Sequence, residues 1–255
     1  MKNLHFTLLL AGSIFITINS FAQEPREGIT GDFLLKTQWG SDEFTSRFSP
    51  SNEPLGCHSI AIAQVLYYHK LAPTGAVNYK CSNGHDVKED FTSYKVAWDK
   101  ISDKLTSSSS KEAIDATAYF NYAVACIVQK DFATDNYIDI EKSEHHKLQI
   151  EKHFNCKYGS YTFPGATAIE DLFKSNTFDE IIKKEIDAKR PVGFYYIWDQ
   201  GGHAVVVDGY IVRDGNFYVH ANFGWMGHSD GWYLLPEDMP DSTSLILLLT
   251  IDPVM

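Results

Sequence analysis

The chain has 255 residues, 44% hydrophobic and 14% aromatic, enough for a buried core and against a disordered or fibrous protein. Its 22 Lys+Arg against 33 Asp+Glu give a net charge of -11, from which a basic surface for phosphate backbones is hard to assemble, so no nucleic-acid partner is expected. After the first two dozen residues no apolar run reaches the roughly 18 residues that a membrane span needs.

The N-terminus reads as a targeting segment. Lys2 gives a short basic start, Leu4 to Ile18 is mostly apolar, and Ser20-Phe21-Ala22 offers small residues for a signal peptidase. Thr7, Gly12, Ser13, Thr17 and Asn19 interrupt the apolar stretch, which argues against an anchor. The reading is a signal peptide over residues 1–22, cleavage after Ala22, a secreted or periplasmic protein, and one domain over residues 23–255.

Residues 57–70, CHSIAIAQVLYYHK, carry Ile60, Gln64 and Tyr67 on one side and Ala61, Val65 and Tyr68 on the next, with no internal Gly or Pro. This predicts a mostly buried helix that starts at Cys57 after Pro54-Leu55-Gly56. Residues 71–110 hold turn signals at Pro73 to Gly75 and Ser82 to Gly84 and a serine run at Ser107 to Ser110, and read as a surface excursion. Helical periodicity returns over 111–129 through Ile114, Ala118, Tyr122, Cys126 and Val128. A shorter helix is predicted over about 144–154, with His145, His146 and Lys147 on a solvated face. Thr177 and Glu180 form a reciprocal capping pattern for a helix that runs to about Lys189 and stops at Pro191. Thereafter VGFYYIW, HAVVVDGY, NFYVHANF, GWYLL and SLILLLTI are short, rich in Val, Ile, Tyr and Phe, and separated by Gly and Asp. They predict an antiparallel sheet, and helices followed by strands mean an α+β protein with a helical lobe against a β lobe.

Four cysteines, Cys57, Cys81, Cys126 and Cys156, stand in a chain with a core of its own. If one stays a thiol for chemistry, the other three form one bridge at most, so parity argues against a disulfide framework. Cys126 shares an apolar helix face with Tyr119 and Tyr122, and Cys156 follows Phe154 in a second helical segment; both read as small buried hydrophobes. Cys81 and His85 have a loose metal-like spacing without a second ligand pair, so neither a metal nor a cofactor is expected.

Cys57 differs from the others by position. At the first turn of a buried helix, unpaired N–H groups and the positive end of the dipole stabilise a thiolate, which lowers a thiol pKa when a cation helps. Position alone does not separate this from an inert buried cysteine. His203 in GGHAVVVDGY is the best partner, because the two glycines open the backbone beside it while the strand anchors it. Asn222 follows at the end of NFYVHAN, placed to accept the His203 ring N–H, with Trp225 shielding that bond from water. The order Cys, His, Asn is that of papain-like nucleophilic catalysis.

GCHSIAIAQVLYYH resembles the nucleophile helix of the streptopain family of cysteine peptidases. GGHAVVVDGY with NFYVHANFGWMGHSDGWYLL is similar to that family's histidine strand and the Asn and Trp-Gly hairpin after it. The resemblance spans roughly residues 34–253 and implies a papain-like two-lobed fold and endopeptidase activity on protein or peptide substrates. It implies Cys57 as nucleophile, His203 as general base and acid, Asn222 as orienting amide and Trp225 as the tryptophan packed against the site. Three departures stand out. Where the family carries an oxyanion glutamine, TQWGSDEF has Ser41, with Gln38 three residues away. Phe223 stands where tryptophan is usual, and Met226 where glycine is usual. Family members are typically made with a long inhibitory propeptide, whereas few residues separate Ala22 from Cys57, so control falls to a separate proteinaceous inhibitor, to export or to low intrinsic activity.

Gly227-His228-Ser229-Asp230-Gly231 fits a G-x-S-x-G elbow, but a strand follows it and no His comes after Ser229, so it reads as a glycine-rich hairpin. Two rivals to the peptidase reading keep the same cleft: a catalytically weakened binding module, and a Cys-His amidase or transferase acting on another acyl group.

Overall fold

The structure is a computed structural model that describes residues 24–134, 136–138 and 143–254. The signal-peptide reading of residues 1–22 lies outside the described residues. Helix α1 (Cys57–Tyr68) is followed by a hairpin of β1 (Ala76–Lys80) and β2 (Asp86–Asp90), then α2 (Lys111–Ile127) and α3 (Ser143–His153). Next come β3 (Cys156–Pro164), α4 (Gly165–Lys174) and α5 (Thr177–Asp187). The chain ends in β4 (Val192–Trp198), β5 (Gly201–Arg213), β6 (Asn216–Asn222), β7 (Gly231–Leu234) and β8 (Leu245–Pro253).

Strands β3 to β8 form one antiparallel sheet in the order β3-β8-β4-β5-β6-β7. The apolar runs HAVVV and LILLL are nearly continuous because both faces of the central strands are buried. Ala204, Val206, Leu249 and Ile251 join a core built with α1, α2 and the β1–β2 hairpin, while Val205, Val207, Ile246 and Leu248 join one built with α4 and α5. The predicted α+β fold with a helical lobe against an antiparallel β lobe is therefore present, and α1 lies in the seam between them. Ile60 to Leu66 is buried throughout, so this helix is held by tertiary packing on all sides.

Several expectations need correction. Residues 71–110 are more than a surface excursion, because Val77, Val87 and Ile101 are buried and Phe91 is fully enclosed. The last serine of the run caps α2, its Oγ accepting the Ala113 N–H at 3.2 Å. His146 does not lie on a solvated face: it is 4% exposed, with its Nδ1 3.3 Å from Nε2 of His58. Cys156 opens strand β3 instead of sitting in a helix. This strand left no clean period of two, because the face with Tyr158, Ser160 and Thr162 and the face with Lys157, Tyr161 and Phe163 each mix polar and aromatic residues. Thr177 is not a capping residue. Helix α4 ends so close to α5 that Asn176, at φ 58°, takes the cap position and the Thr177 hydroxyl pairs with Ser175 at 2.7 Å. Cys81, Cys126 and Cys156 are free buried thiols, and the Cys81–His85 segment closes the β1–β2 hairpin through a Cys81 N–H to His85 carbonyl bond of 2.8 Å. Among the described residues no helix is long and apolar enough to cross a membrane.

Candidate active site

Cys57 is the first residue of α1 and is half-buried. Gly56 before it adopts φ 82°, and a Cβ there would stand 2.5 Å from the Tyr137 hydroxyl, so the chain enters the helix through a position that only glycine fills without strain. The Tyr137 oxygen accepts the Ser59 N–H at 3.0 Å and donates to the Leu55 carbonyl at 3.1 Å, capping the helix from a distant loop. Ser41 completes the entry: its Oγ accepts the Gly56 N–H at 2.9 Å. The structure thus brings Ser41 to the residue before the thiol. Gln38 lies instead against Gly227, lining a cavity of about 300 Å³ with Thr37, His220, Asn222 and Asp230.

His203 lies near the start of β5, 6% exposed, opposite Tyr196 of β4. Cys57 acts electrostatically on Tyr195 and Tyr196, whose hydroxyls burial first, and the thiol second, push well up. Tyr196 is therefore common ground between the Cys57 end of α1 and the His203 ring, whose centroid lies 6.3 Å from its own. The imidazole is boxed by Phe223, stacked at 5.8 Å, and Trp225 at 4.6 Å. Trp225 is held in place by a bridge to Gly40, and the Met226 N–H donates to the Trp39 carbonyl at 3.2 Å. Met226 itself has φ 58°, which accounts physically for a glycine preference at that position.

Asn222 does not accept the His203 ring N–H. Its Oδ1 accepts from Gln64 Nε2 and from the Gly224 N–H, both at 3.0 Å, and its Nδ2 donates to the Thr37 carbonyl at 2.7 Å. The group that faces His203 Nε2 is the carbonyl oxygen of Phe223, at 3.1 Å. A carbonyl only accepts, so Nε2 carries the proton and Nδ1 of the neutral ring keeps the lone pair. The Phe223 N–H in turn donates to Asp230 Oδ1 at 2.8 Å, and burial raises the Asp230 carboxyl to about 6. Desolvation lowers His203 to about 4 against a smaller opposing effect of the Phe223 carbonyl. At neutral pH the ring is uncharged, the form that takes a proton from a thiol. The Phe223 peptide escaped sequence reading because a main-chain acceptor carries no residue signature. Gln64 did leave a signal, as the amide in an otherwise apolar stretch of α1.

The sequence profile of the Peptidase C10 family matches residues 39–233. The chain belongs to the peptidase C10 family. It is 38% identical over 218 residues to Streptopain of Streptococcus pyogenes, covering 82% of this chain and 51% of that protein. It is 26% identical over 196 residues to the Thiol protease/hemagglutinin PrtT of Porphyromonas gingivalis, covering 71% of this chain and 20% of that one. The chain thus spans about half the length of the streptopain it matches. The active wild-type interpain A cysteine protease of Prevotella intermedia has a similar fold, with a TM-score of 0.63 at 18% identity over 85% of this chain and 93% of that one. A prointerpain A fragment from the same organism also gives 0.63, at 20% identity, over 85% and 70% of the two chains. The papain-like fold implied by the motif resemblance is thereby confirmed.

Proposed function

We propose that this peptidase C10 chain is a cysteine endopeptidase that hydrolyses peptide bonds through Cys57 and His203. The observation that carries the reading is the hydrogen bond from His203 Nε2 to the Phe223 carbonyl, because it leaves Nδ1 as the proton acceptor in a ring held neutral by burial. In the proposed mechanism Nδ1 takes the thiol proton as the Cys57 sulfur attacks the scissile carbonyl, and returns it to the departing amine. The tetrahedral oxyanion sits at the N-terminal turn of α1, where backbone N–H groups and the helix dipole favour negative charge. The Ser41 hydroxyl, which accepts from Gly56, still has its own proton to donate toward that turn. Trp225 and Phe223 keep water from the imidazole. Asn222 serves the site by holding the turn that presents Phe223, without touching the ring. Water then resolves the thioester with His203 again as base.

Protein or peptide substrates follow from the kinship with Streptopain and interpain A. Export is part of the proposal, resting on the basic start, apolar run and small residues up to Ala22. The test is degradation of an unfolded protein by the purified chain under reducing conditions, with Cys57→Ala as control. Cys57-dependent cleavage is the expected result, and equal cleavage by both chains, or by neither, would sink it. An ester or amide turned over by a chain that leaves peptides intact would favour the amidase reading instead.

A further inference from the structure

The interior between the two lobes contains a ring of hydrogen bonds, two between side chains and a third that closes it on the main-chain carbonyl of Thr37. Thr37 Oγ1 donates to Gln64 Oε1 at 2.6 Å, Gln64 Nε2 donates to Asn222 Oδ1 at 3.0 Å, and Asn222 Nδ2 donates to the Thr37 carbonyl at 2.7 Å. Thr37 is 3% exposed, Gln64 0% and Asn222 3%, so Gln64 is sealed from water, while Thr37 and Asn222 also line the cavity beside Gln38. The ring joins three segments distant in sequence: the irregular stretch ahead of Trp39, helix α1, and the end of β6.

We propose that Gln64, together with Thr37, is a positioning residue that sets the Cys57 helix against the acceptor of His203. This inference rests on the peptidase reading above. Each ring member lies close to a group that touches the reacting pair. Gln64 lies about 10 Å along α1 from Cys57, at 1.5 Å per residue, so pinning it fixes where the helix presents the thiol. Asn222 Oδ1 accepts from Gln64 and from the Gly224 N–H together, which locks the turn whose Phe223 carbonyl holds His203. Thr37 opens the segment that bridges Trp225 through Gly40 and reaches the helix entry through Ser41. The helix and the turn are also in close contact, since a Cβ at Gly224 would stand 3.2 Å from the Ile60 side chain.

Apolar packing alone would bury the same surface but tolerates small slides and rotations. Hydrogen bonds are directional, and a fully satisfied buried network admits one arrangement. A slide of about 1 Å between thiol and imidazole costs on the order of a hundredfold in rate. The ring thereby supplies a precision that the surrounding valines and isoleucines do not.

The experiment compares the full chain with Gln64→Leu, Gln64→Glu, Thr37→Val and Thr37→Ser. Gln64→Glu keeps an acceptor for Thr37 but cannot donate to Asn222, and Thr37→Ser keeps the hydroxyl. Peptide hydrolysis and the rate of Cys57 alkylation by iodoacetamide at pH 7 are both measured, with His203→Ala as the reference for a thiol without its base. In Gln64→Leu, Gln64→Glu and Thr37→Val, kcat should fall about ten- to a hundredfold with KM within about twofold, and alkylation should approach the His203→Ala rate. Thr37→Ser should restore both. Wild-type kcat and alkylation in the folded variants would overturn the inference, as would a loss confined to thermal stability and KM. If the Gln64 variants fail to fold, the Thr37 pair decides alone. A wild-type chain that cleaves no peptide but shows these alkylation shifts would refute the peptidase reading and support the ring.

Discussion

The Nε2 proton of His203 goes to the carbonyl oxygen of Phe223, 3.1 Å away, and not to the side chain of Asn222, one residue earlier. The amide is engaged on the other side, with Gln64 of α1 and the Thr37 carbonyl. The two roles that Cys, His, Asn order assigns to one residue are therefore divided here. A peptide oxygen fixes the tautomer of the His203 ring, and Asn222 holds the turn that carries that peptide.

The pH dependence follows from burial. A thiolate and imidazolium pair formed in advance needs a histidine with a raised pKa, whereas desolvation lowers His203 to about 4. Because the base works uncharged, kcat/KM should hold from neutrality down to about pH 5, then drop about tenfold per unit below 4. An acidic limb centred near 6.5, the ordinary histidine value, would contradict a buried neutral base.

Trp225 is the test of that cause. Removing the ring that covers His203 at 4.6 Å admits water and relieves the desolvation. Trp225→Ala should move the acidic limb of kcat/KM from about 4 toward about 6.5. An unmoved limb together with a raised KM would assign Trp225 to substrate binding instead.

His203→Ala should reduce hydrolysis to background, since the proposed function gives the proton transfer to its imidazole. Asn222→Ala should leave a measurable fraction of activity but a less stable protein, because it strands the Gln64 Nε2 and the Gly224 N–H at a cost of about 1–3 kcal/mol per group. Thermal unfolding and kcat measured on both variants check this. Equal and complete loss of activity in a folded Asn222→Ala protein would mean that the amide acts on the ring after all.

Ser41 is tied to the helix entry, and under the proposed function its side chain is shorter than the glutamine that the motif resemblance implies for the oxyanion. Ser41→Gln should raise turnover without changing Cys57 alkylation, a reaction that needs no oxyanion hole. Ser41→Ala should lower both turnover and stability, the latter by about 1 kcal/mol through the lost Gly56 bond. Unchanged turnover in both would place the second oxyanion donor elsewhere.

Acid should destabilise the fold before it inactivates the base. His58, His146 and His203 are all lowered by burial, His146 and His203 to about 4. Their unfolded counterparts bind protons near 6.5, so protons bind the unfolded chain first and stability falls as pH drops from about 6.5 to about 4. The midpoint of chemical unfolding, followed between pH 7 and 4, should decline over that window. A stability curve flat across it would show that these rings are hydrated in solution.

Local pattern was enough to read several features from the sequence. The helix at Cys57 was legible because twelve residues without Gly or Pro follow a Pro-Leu-Gly loop, and the strands because β-branched and aromatic runs are cut by Gly and Asp. Cys57, His203, Asn222 and Trp225 were singled out together because residue type and order survive without coordinates. Tertiary structure decided which partners those residues meet. A hydrogen bond forms with whatever atom lies within about 3 Å, and that is fixed by how separate segments cross, which no local spacing encodes. Thus His146, polar in sequence, is buried against His58; Asn222, next to the turn that carries Phe223, faces Gln64; and the acceptor for His203 is a backbone oxygen that every residue possesses.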